Sequence, residues 1–533
     1  MPEITSIIER AGVEALSVED QTTLKAAIDT LALLTQELES KNTSINRLRQ
    51  MLFGNSSEKT SKVLNDESST SKPNDKDKDK TKSSPKKPGH GRNGTAAYTG
   101  ADKIKVPHPE LTGGEQCSFC KKGKMNPVAK PTQLIRITAM PPIGASIYEC
   151  DKYRCSTCGE ISTAPAPEGV GNSKYDASVT SMIGLLKYGT GLPFYRIEKL
   201  QQGFGIPLPS STQWDLVKAG AKSLSPIFEE LINQAAQGEV LYNDDTTMKI
   251  LKMTQEQRAA AAADNAKEDR TGTFTSGIVS TQDENKIALF FTGVKHAGEN
   301  LSDVLARRSE ALEPPIQMSD ALSRNVTGEF ETILANCNAH SRRKYVEVAS
   351  QFPEECRFVL ETLSDVYGID EIARSRKLSD HERLKYHQEK SGPMMSKLEK
   401  WLVEQIEGHK VEPNSGLGEA ILYMQKHWEK LTLFLRVAGA PLDNNICERA
   451  LKKAILNRKN AMFYRTLKGA RVGDLYMSFI HTCELNGINP FDYFKSLLKN
   501  ADEAAENPEK WMPWEYLHTL EKIQIRSSED KIN

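Results

Sequence analysis

Apolar residues recur at every seventh position through Leu24, Leu31, Leu38, Ile45 and Leu52, with a second seam through Ala27, Leu34, Lys41 and Leu48. This spacing predicts a helix that self-associates as a coiled coil, although Lys41 weakens the second seam. A single amphipathic helix packed on its own protein fits the same pattern. The periodicity stops at "FGNSSEK", and "NDESSTSKPNDKDKDKTKSSPKKPGHGRNG" follows with almost no apolar side chain. Such a segment buries too little surface to offset the entropy of ordering, so it reads as a flexible basic linker. Its Lys86, Lys87, His90 and Arg92 are either phosphate contacts or parts of a solvated tether.

Helical spacing resumes from Tyr175 to Ala235. Within it, "GIPLPSSTQWDLV" offers Ser210 or Ser211 as the cap of a helix carrying Trp214, Leu216 and Val217. A helix, a glycine-containing turn and a capped helix have the layout of a helix-turn-helix, with a generic helical bundle as the alternative. The texture then changes to strands: "EVLYNDDTTMKIL", "GTFTSGIVS" and "KIALFFTG", interrupted by the Ala- and charge-rich "QEQRAAAAADNAKEDR". The helical "NLSDVLARRSEAL", the short strand "PIQMSD" and "TILANCNAHSRRKYVEV" come next, which predicts an α/β layer built on a mixed sheet. A long helix-rich segment, from about Val346 to Val437, separates this sheet from the helix of "PLDNNICERALKKAILNRKN".

The 533 residues are too many for one ordinary domain. A net charge of -1 leaves only local patches to attract an anionic partner. The acidic start lacks the regions of a signal peptide, and no apolar run approaches the roughly 18 residues of a membrane span. A cytoplasmic protein without membrane partners is therefore expected. Of nine cysteines, Cys117 with Cys120 and Cys155 with Cys158 form two Cys-x-x-Cys knuckles flanking a β-rich stretch. Four thiolates so arranged suit one tetrahedral, structural Zn²⁺, and Gly159 suits the tight turn. Redox chemistry or unliganded thiols are the alternatives, and Cys150 is left over as a packing or stray thiol.

Two carboxylates interrupt strands that are otherwise apolar. Asp244 lies within the first strand and Asp320 at the C-terminal end of "PIQMSD", where α/β sheets display functional groups. A carboxylate there costs free energy unless it is paired or binds a cation. Strand alternation points Asp245 to the face opposite Asp244, so only one of the two belongs to a shared site. Asp443 reads as a helix cap. Glu448 is either an ion-pair partner of Lys452 or a group aimed at the sheet, on a helix whose apolar face comprises Cys447, Leu451, Ala454 and Ile455.

"RLRQMLFGNSSEK", the cysteine knuckles, "GLPFYR", "NDDT", "QMSD", "CNAHSRRK", "DNNICERAL" and "NRKNAMFY" occur in one order along the chain. Together they resemble the transposases of the insertion sequence 66 family, which move a bacterial DNA element by DDE chemistry. The resemblance runs from the heptad helix to about Phe494. It implies an RNase H-like mixed sheet with a helical insertion, preceded by a coiled coil, a zinc ribbon and a helical DNA-binding domain. The corresponding boundaries are 1–60 for the coiled coil, 61–105 for the linker, 106–168 for the ribbon and 172–235 for the helix-turn-helix-like part. They continue with 236–345 for the first part of the catalytic core, 346–440 for the insertion, 441–497 for the last part of the core, and 498–533 for a tail.

It further implies Asp244, Asp320 and Glu448 as a catalytic triad holding two Mg²⁺ ions, or Mn²⁺ in their place. DNA ends and target are the implied partners, with self-association through the first helix and accessory proteins of the same element. Arg342, Arg343, Lys344, Lys452, Arg458 and Lys459 are phosphate contacts on this reading and solvated surface charges otherwise. His340 either touches substrate or fills a hydrogen-bonded core position, and is not read as a metal ligand. Asp245, Asn338 and Asn457 stand where the family more often has glutamate, tryptophan and glycine. A non-catalytic DNA-binding zinc protein descended from a transposase, and a nuclease that cuts without rejoining, are the competing functions.

Overall fold

The computed structural model describes residues 142–154, 161–165, 173–253, 272–328 and 330–529, with isolated positions at 121, 122, 124 and 167. The heptad helix, the basic linker, the four knuckle cysteines and the Ala-rich insertion lie outside the described residues. A small antiparallel pair, β1 (Lys152–Arg154) and β2 (Ile161–Thr163), precedes a helical stretch of α1 (Ala177–Gly184), α2 (Phe194–Gly203) and α3 (Ser210–Ala236). Asp176 caps α1 by accepting from Ser178 N and Val179 N. No side chain caps α3: Ser210 instead donates its N–H and hydroxyl to Glu198 of α2, tying the two helices at their turn. The apolar side of α3, from Val217 through Leu224, Ile227 and Leu231 to Ala235, is buried in the same hydrophobic cluster as the sheet.

The stretch read as one strand divides into β3 (Val240–Thr247) and β4 (Ile250–Lys252). Then come β5 (Phe274–Gln282), β6 (Asn285–Gly293), α4 (Ala297–Leu305), β7 (Ile316–Ser319), β8 (Ile333–Asn336) and α5 (Asn338–Val348). The main sheet has the order β6-β5-β3-β7-β8. Its first three strands pair antiparallel, while β7 runs parallel to β3 and β8 parallel to β7, which makes the sheet mixed. The insertion contributes α6 (Pro353–Ser375), α7 (Asp380–Glu407) and α8 (Gly416–Lys426). After it come α9 (Asn445–Ala461), β9 (Tyr464–Thr466), which pairs parallel with β4, then α10 (Leu467–Leu485) and α11 (Pro490–Lys499).

Two apolar clusters flank this arrangement. One joins α3, β5, β6, α9, α10 and α11; the other packs the insertion helices with α5 against β7 and β8. Within the stretch read as a tail, Trp511 and Met512 are fully buried in the first cluster. The insertion is fastened at buried Asp370 of α6, which accepts from Arg383 and His387 of α7 and pairs with Arg374. Burial raises the Asp370 pKa, but His387 and the two guanidiniums outweigh it and hold the carboxyl at about 2. Arg383 also donates to Ala440 O, just before the turn that opens α9.

The outer edge of β6 is closed by side chains. Thr292, Phe290, Ala288 and Lys286 direct backbone N–H groups away from β5, and Asp474, Ser478, Thr482 and Asn486 accept them at 2.8, 2.9, 3.0 and 3.1 Å. The acceptors recur every fourth residue along α10 and its C-terminal end, and the donors every second residue along β6. An edge that would otherwise template further strand pairing is thereby satisfied internally.

Candidate active site

Strand β3 carries two adjacent carboxylates to opposite faces of the sheet, as its alternation requires. Asp245 is opposite Ser276 in register, on the α4 side, where Asn300 donates to the Ser276 hydroxyl. Its Oδ2 lies 2.7 Å from Nδ1 of His296, the N-cap of α4, and its Oδ1 lies 3.4 Å from Arg324. Asp245 is thus fully engaged on that face.

Asp244 is opposite Gly277 of β5, on the face covered by α9. Gly277 is what lets α9 lie so close: a Cβ there would meet Leu451 at 3.0 Å and Cys447 Sγ at 3.5 Å. The Cys447 thiol donates to Gly277 O at 3.3 Å. Glu448, the next residue, therefore starts from a helix turn seated against the strand pair that bears Asp244.

The entry to α9 is stitched down on three sides. Asn444, not Asp443, is the N-cap of α9, and no side chain caps it; Asp443, one residue earlier, accepts from Asn445 N at 3.0 Å and Asn445 Nδ2 at 2.7 Å. Asn444 donates through Nδ2 to Asn243 O of β3 at 3.1 Å, and through its backbone N–H to Cys337 Sγ at 3.2 Å. Asn338, at the first turn of α5, donates its side-chain amide to Leu431 O and Leu442 O. An asparagine at 338 thus has a definite task in bridging insertion and α9. Asn457 has one too, accepting from buried Lys187 at 2.7 Å, whose pKa burial lowers to about 8.

Asp320 follows β7 immediately. Asn325 Nδ2 donates to Asp320 Oδ1 at 2.6 Å and to Asp244 Oδ1 at 3.3 Å, so one fully buried amide spans the two aspartates. Burial pushes the Asp244 pKa up to about 7; the backbone N–H of Asp245 opposes this, while the negative charges of Asp320, Asp245 and Glu448 reinforce it. Glu448 is half-buried, with Oε1 3.6 Å from His340 Nδ1, and makes no ion pair with Lys452. Buried polar atoms without a hydrogen-bond partner gather on the surrounding residues: Glu448 Oε1, His340 Nδ1, Asn325 Oδ1, Asn338 Oδ1 and Asn444 Oδ1. The Asp244 and Asp320 carboxylates, held by one amide and with the Asp244 pKa raised, fit a hard divalent cation, whereas the nearest ligand atoms grouped with the Glu448 carboxylate are those of Cys337 and His340, within 4.8 Å.

A sequence model of the IS66 transposase family matches residues 172–472, more than half of the 533. The chain belongs to the IS66 transposase family. The matched span contains Asp244, Asp320 and Glu448. Among relatives, uncharacterized protein y4hP of Sinorhizobium fredii is 28% identical over 387 residues, covering 69% of this chain and 67% of the relative. Uncharacterized protein y4jD of the same organism is 25% identical over 384 residues, covering 68% and 71%. IS66 transposases are DNA-processing enzymes, so membership implies DNA as a partner and divalent metal use.

The cations proposed from the sequence fall on the two helices that enter the site. Lys452 and Lys459 are exposed on α9, whereas Arg458 folds back to donate to Thr246 and Thr247 at the end of β3. On α5, Arg343 is exposed, Arg342 half-buried, and Lys344 lies over the Tyr423 ring at 4.6 Å. Sequence reasoning missed His296, Arg324 and Asn325. The first two engage Asp245 and the third bridges the aspartates, yet none stands in a periodic or motif-like context. No helix among the described residues is long and apolar enough to cross a membrane.

Proposed function

We propose that the protein is a DDE transposase that binds the ends of a bacterial insertion element, cleaves DNA strands and joins them to a target. The observation that carries this reading is the Asn325 amide bridging Asp244 and Asp320, with Glu448 close enough to raise the Asp244 pKa. The strand order, with three antiparallel strands followed by two parallel ones, supports an RNase H-like core. In this reading Asp244, Asp320 and Glu448 are the ligands of two Mg²⁺ ions, with Mn²⁺ as a substitute. When bound, these ions supply activation of the attacking oxygen and stabilisation of the leaving oxygen in an in-line displacement.

The chain's own residues do the rest. Asn325 holds two carboxylates in a fixed relation, and Asp244, whose pKa is raised, is the carboxyl whose proton a bound cation would displace to solvent. The Asp443–Asn444 turn fixes the helix that presents Glu448. Lys452 and Lys459, with Arg343, offer phosphate contacts along the two helices leading into the site, and Arg458 chiefly braces the end of β3. Cys117, Cys120, Cys155 and Cys158 hold a structural Zn²⁺, residues 1–60 drive self-association, and the protein works in the bacterial cytoplasm on nucleoid DNA.

The test is a strand-transfer assay on element-end DNA with Mg²⁺. Joined product supports the proposal, cleavage without joining reduces it to a nuclease, and salt-dependent binding alone reduces it to a DNA-binding protein.

A further inference from the structure

Beside the proposed Mg²⁺ site is a second set of ligand atoms of different chemistry. Cys337 closes β8 and N-caps α5, and His340 is the third residue of α5, so a Cys-x-x-His spacing brings both side chains to one helix entrance. Two backbone N–H groups are directed at Cys337 Sγ, those of Asn444 and His340. Burial pushes the Cys337 thiol up to about 12 and these two donors only partly offset it, so the sulfur is a neutral thiol until a cation displaces its proton. Facing them, Glu448 Oε1 and His340 Nδ1 are 3.6 Å apart, each buried without a hydrogen-bond partner. One ligand atom from each of Cys337, His340 and Glu448 lies within 4.8 Å of the other two. Sulfur, imidazole nitrogen and one carboxylate oxygen make a donor set for a borderline-soft ion such as Zn²⁺, whereas Mg²⁺ takes oxygen alone.

We propose that Cys337, His340 and Glu448 bind one zinc-class divalent ion, and that this ion inhibits strand cleavage by withdrawing Glu448 from the Mg²⁺ site. The inhibitory half rests on the proposed transposase chemistry; the metal site itself does not. On binding, the S–H bond of Cys337 breaks, its proton goes to solvent and a sulfur–metal bond forms, leaving the fourth tetrahedral position to water.

The experiment titrates the full chain with Co²⁺ and follows thiolate-to-cobalt charge-transfer absorption. Wild type is compared with Cys337→Ser and His340→Gln, each checked for native circular dichroism. The knuckle cysteines contribute the same background to all three. His340→Gln guards against misfolding of the buried serine variant, because His340 is partly exposed. Wild type is expected to take up about one equivalent more than either variant, or to hold it ~10-fold or more tightly. Equal stoichiometry and affinity in all three overturn the site, whether or not the protein cleaves DNA. In the second arm, Zn²⁺ added over excess Mg²⁺ is expected to suppress cleavage by wild type and to spare Cys337→Ser. Equal suppression of both overturns the inhibitory role. If no cleavage is seen at all, the transposase reading fails while the cobalt titration still decides the site.

Discussion

Asp244 gives the sharpest quantitative test, because its cost to the metal-free protein follows from its surroundings. Its carboxyl titrates near pH 7 in the fold against an ordinary value of 3.8, with burial as the main cause. The folded state therefore retains a proton that the unfolded chain has lost, and stability falls as pH rises from about 4 to about 7. A rise of about 3 pH units at 1.36 kcal/mol each sets a ceiling of about 4 kcal/mol, reached above pH 8. Relaxation and water entry trim the effective penalty, so ~2 kcal/mol is a working figure. Asp244→Asn removes the charge and keeps an oxygen to accept from Asp245 N and Asn325 Nδ2. In EDTA at pH 8 the variant should melt about 4–8 °C above wild type, taking 2–4 °C per kcal/mol for a unit of this size. The gap should close towards pH 4, and Mg²⁺ should raise the melting temperature of wild type but not of the variant. The assay is thermal unfolding by circular dichroism across that pH range. A variant less stable than wild type at pH 8 without metal refutes the reasoning.

Asp320→Asn or Glu448→Gln should abolish strand cleavage with DNA affinity nearly unchanged, read by gel shift beside a cleavage assay; parallel loss of binding would assign these residues a structural role. Gly277→Ala should lift α9 from the sheet, costing about 1–3 kcal/mol and lowering cleavage through Glu448, as measured by denaturant unfolding and cleavage rate. Asp474→Ala should leave the buried Thr292 N–H without an acceptor and destabilise the fold by about 1–3 kcal/mol at neutral pH. Cys155→Ser should release zinc and unfold the ribbon while sparing the carboxylate site; zinc retained at full stoichiometry, measured by atomic emission, contradicts that ligand set.

Some of this architecture was readable from the chain alone because the cue is local. A charge inside an apolar strand marked Asp244, a charge at the C-terminal end of another marked Asp320, and alternation separated Asp244 from Asp245. The partners that organise the site were not readable. His296 meets Asp245 across 51 residues and Asn325 meets Asp244 across 81, and no short-range period encodes either contact. Ser210 resembled a helix cap, but the competing acceptor on Glu198 exists only after two helices fold together. The approach of His340 to Glu448 was not readable either, because Glu448 belongs to a helix beyond the insertion. Asp474, Ser478 and Thr482 form a polar stripe along α10 that is buried because β6 lies against it.

That stripe works as a vernier. Four helical residues advance about 6.0 Å and two strand residues about 6.8 Å, so the two scales drift by roughly 0.8 Å per rung. The reach of the side chains absorbs the drift, with short Ser478 and Thr482 in the middle and longer Asp474 and Asn486 at the ends. Only one alignment satisfies all four rungs, which denies α10 any freedom to slide. Because only β9 stands between α9 and α10, the position of Glu448 is calibrated against the far border of the sheet.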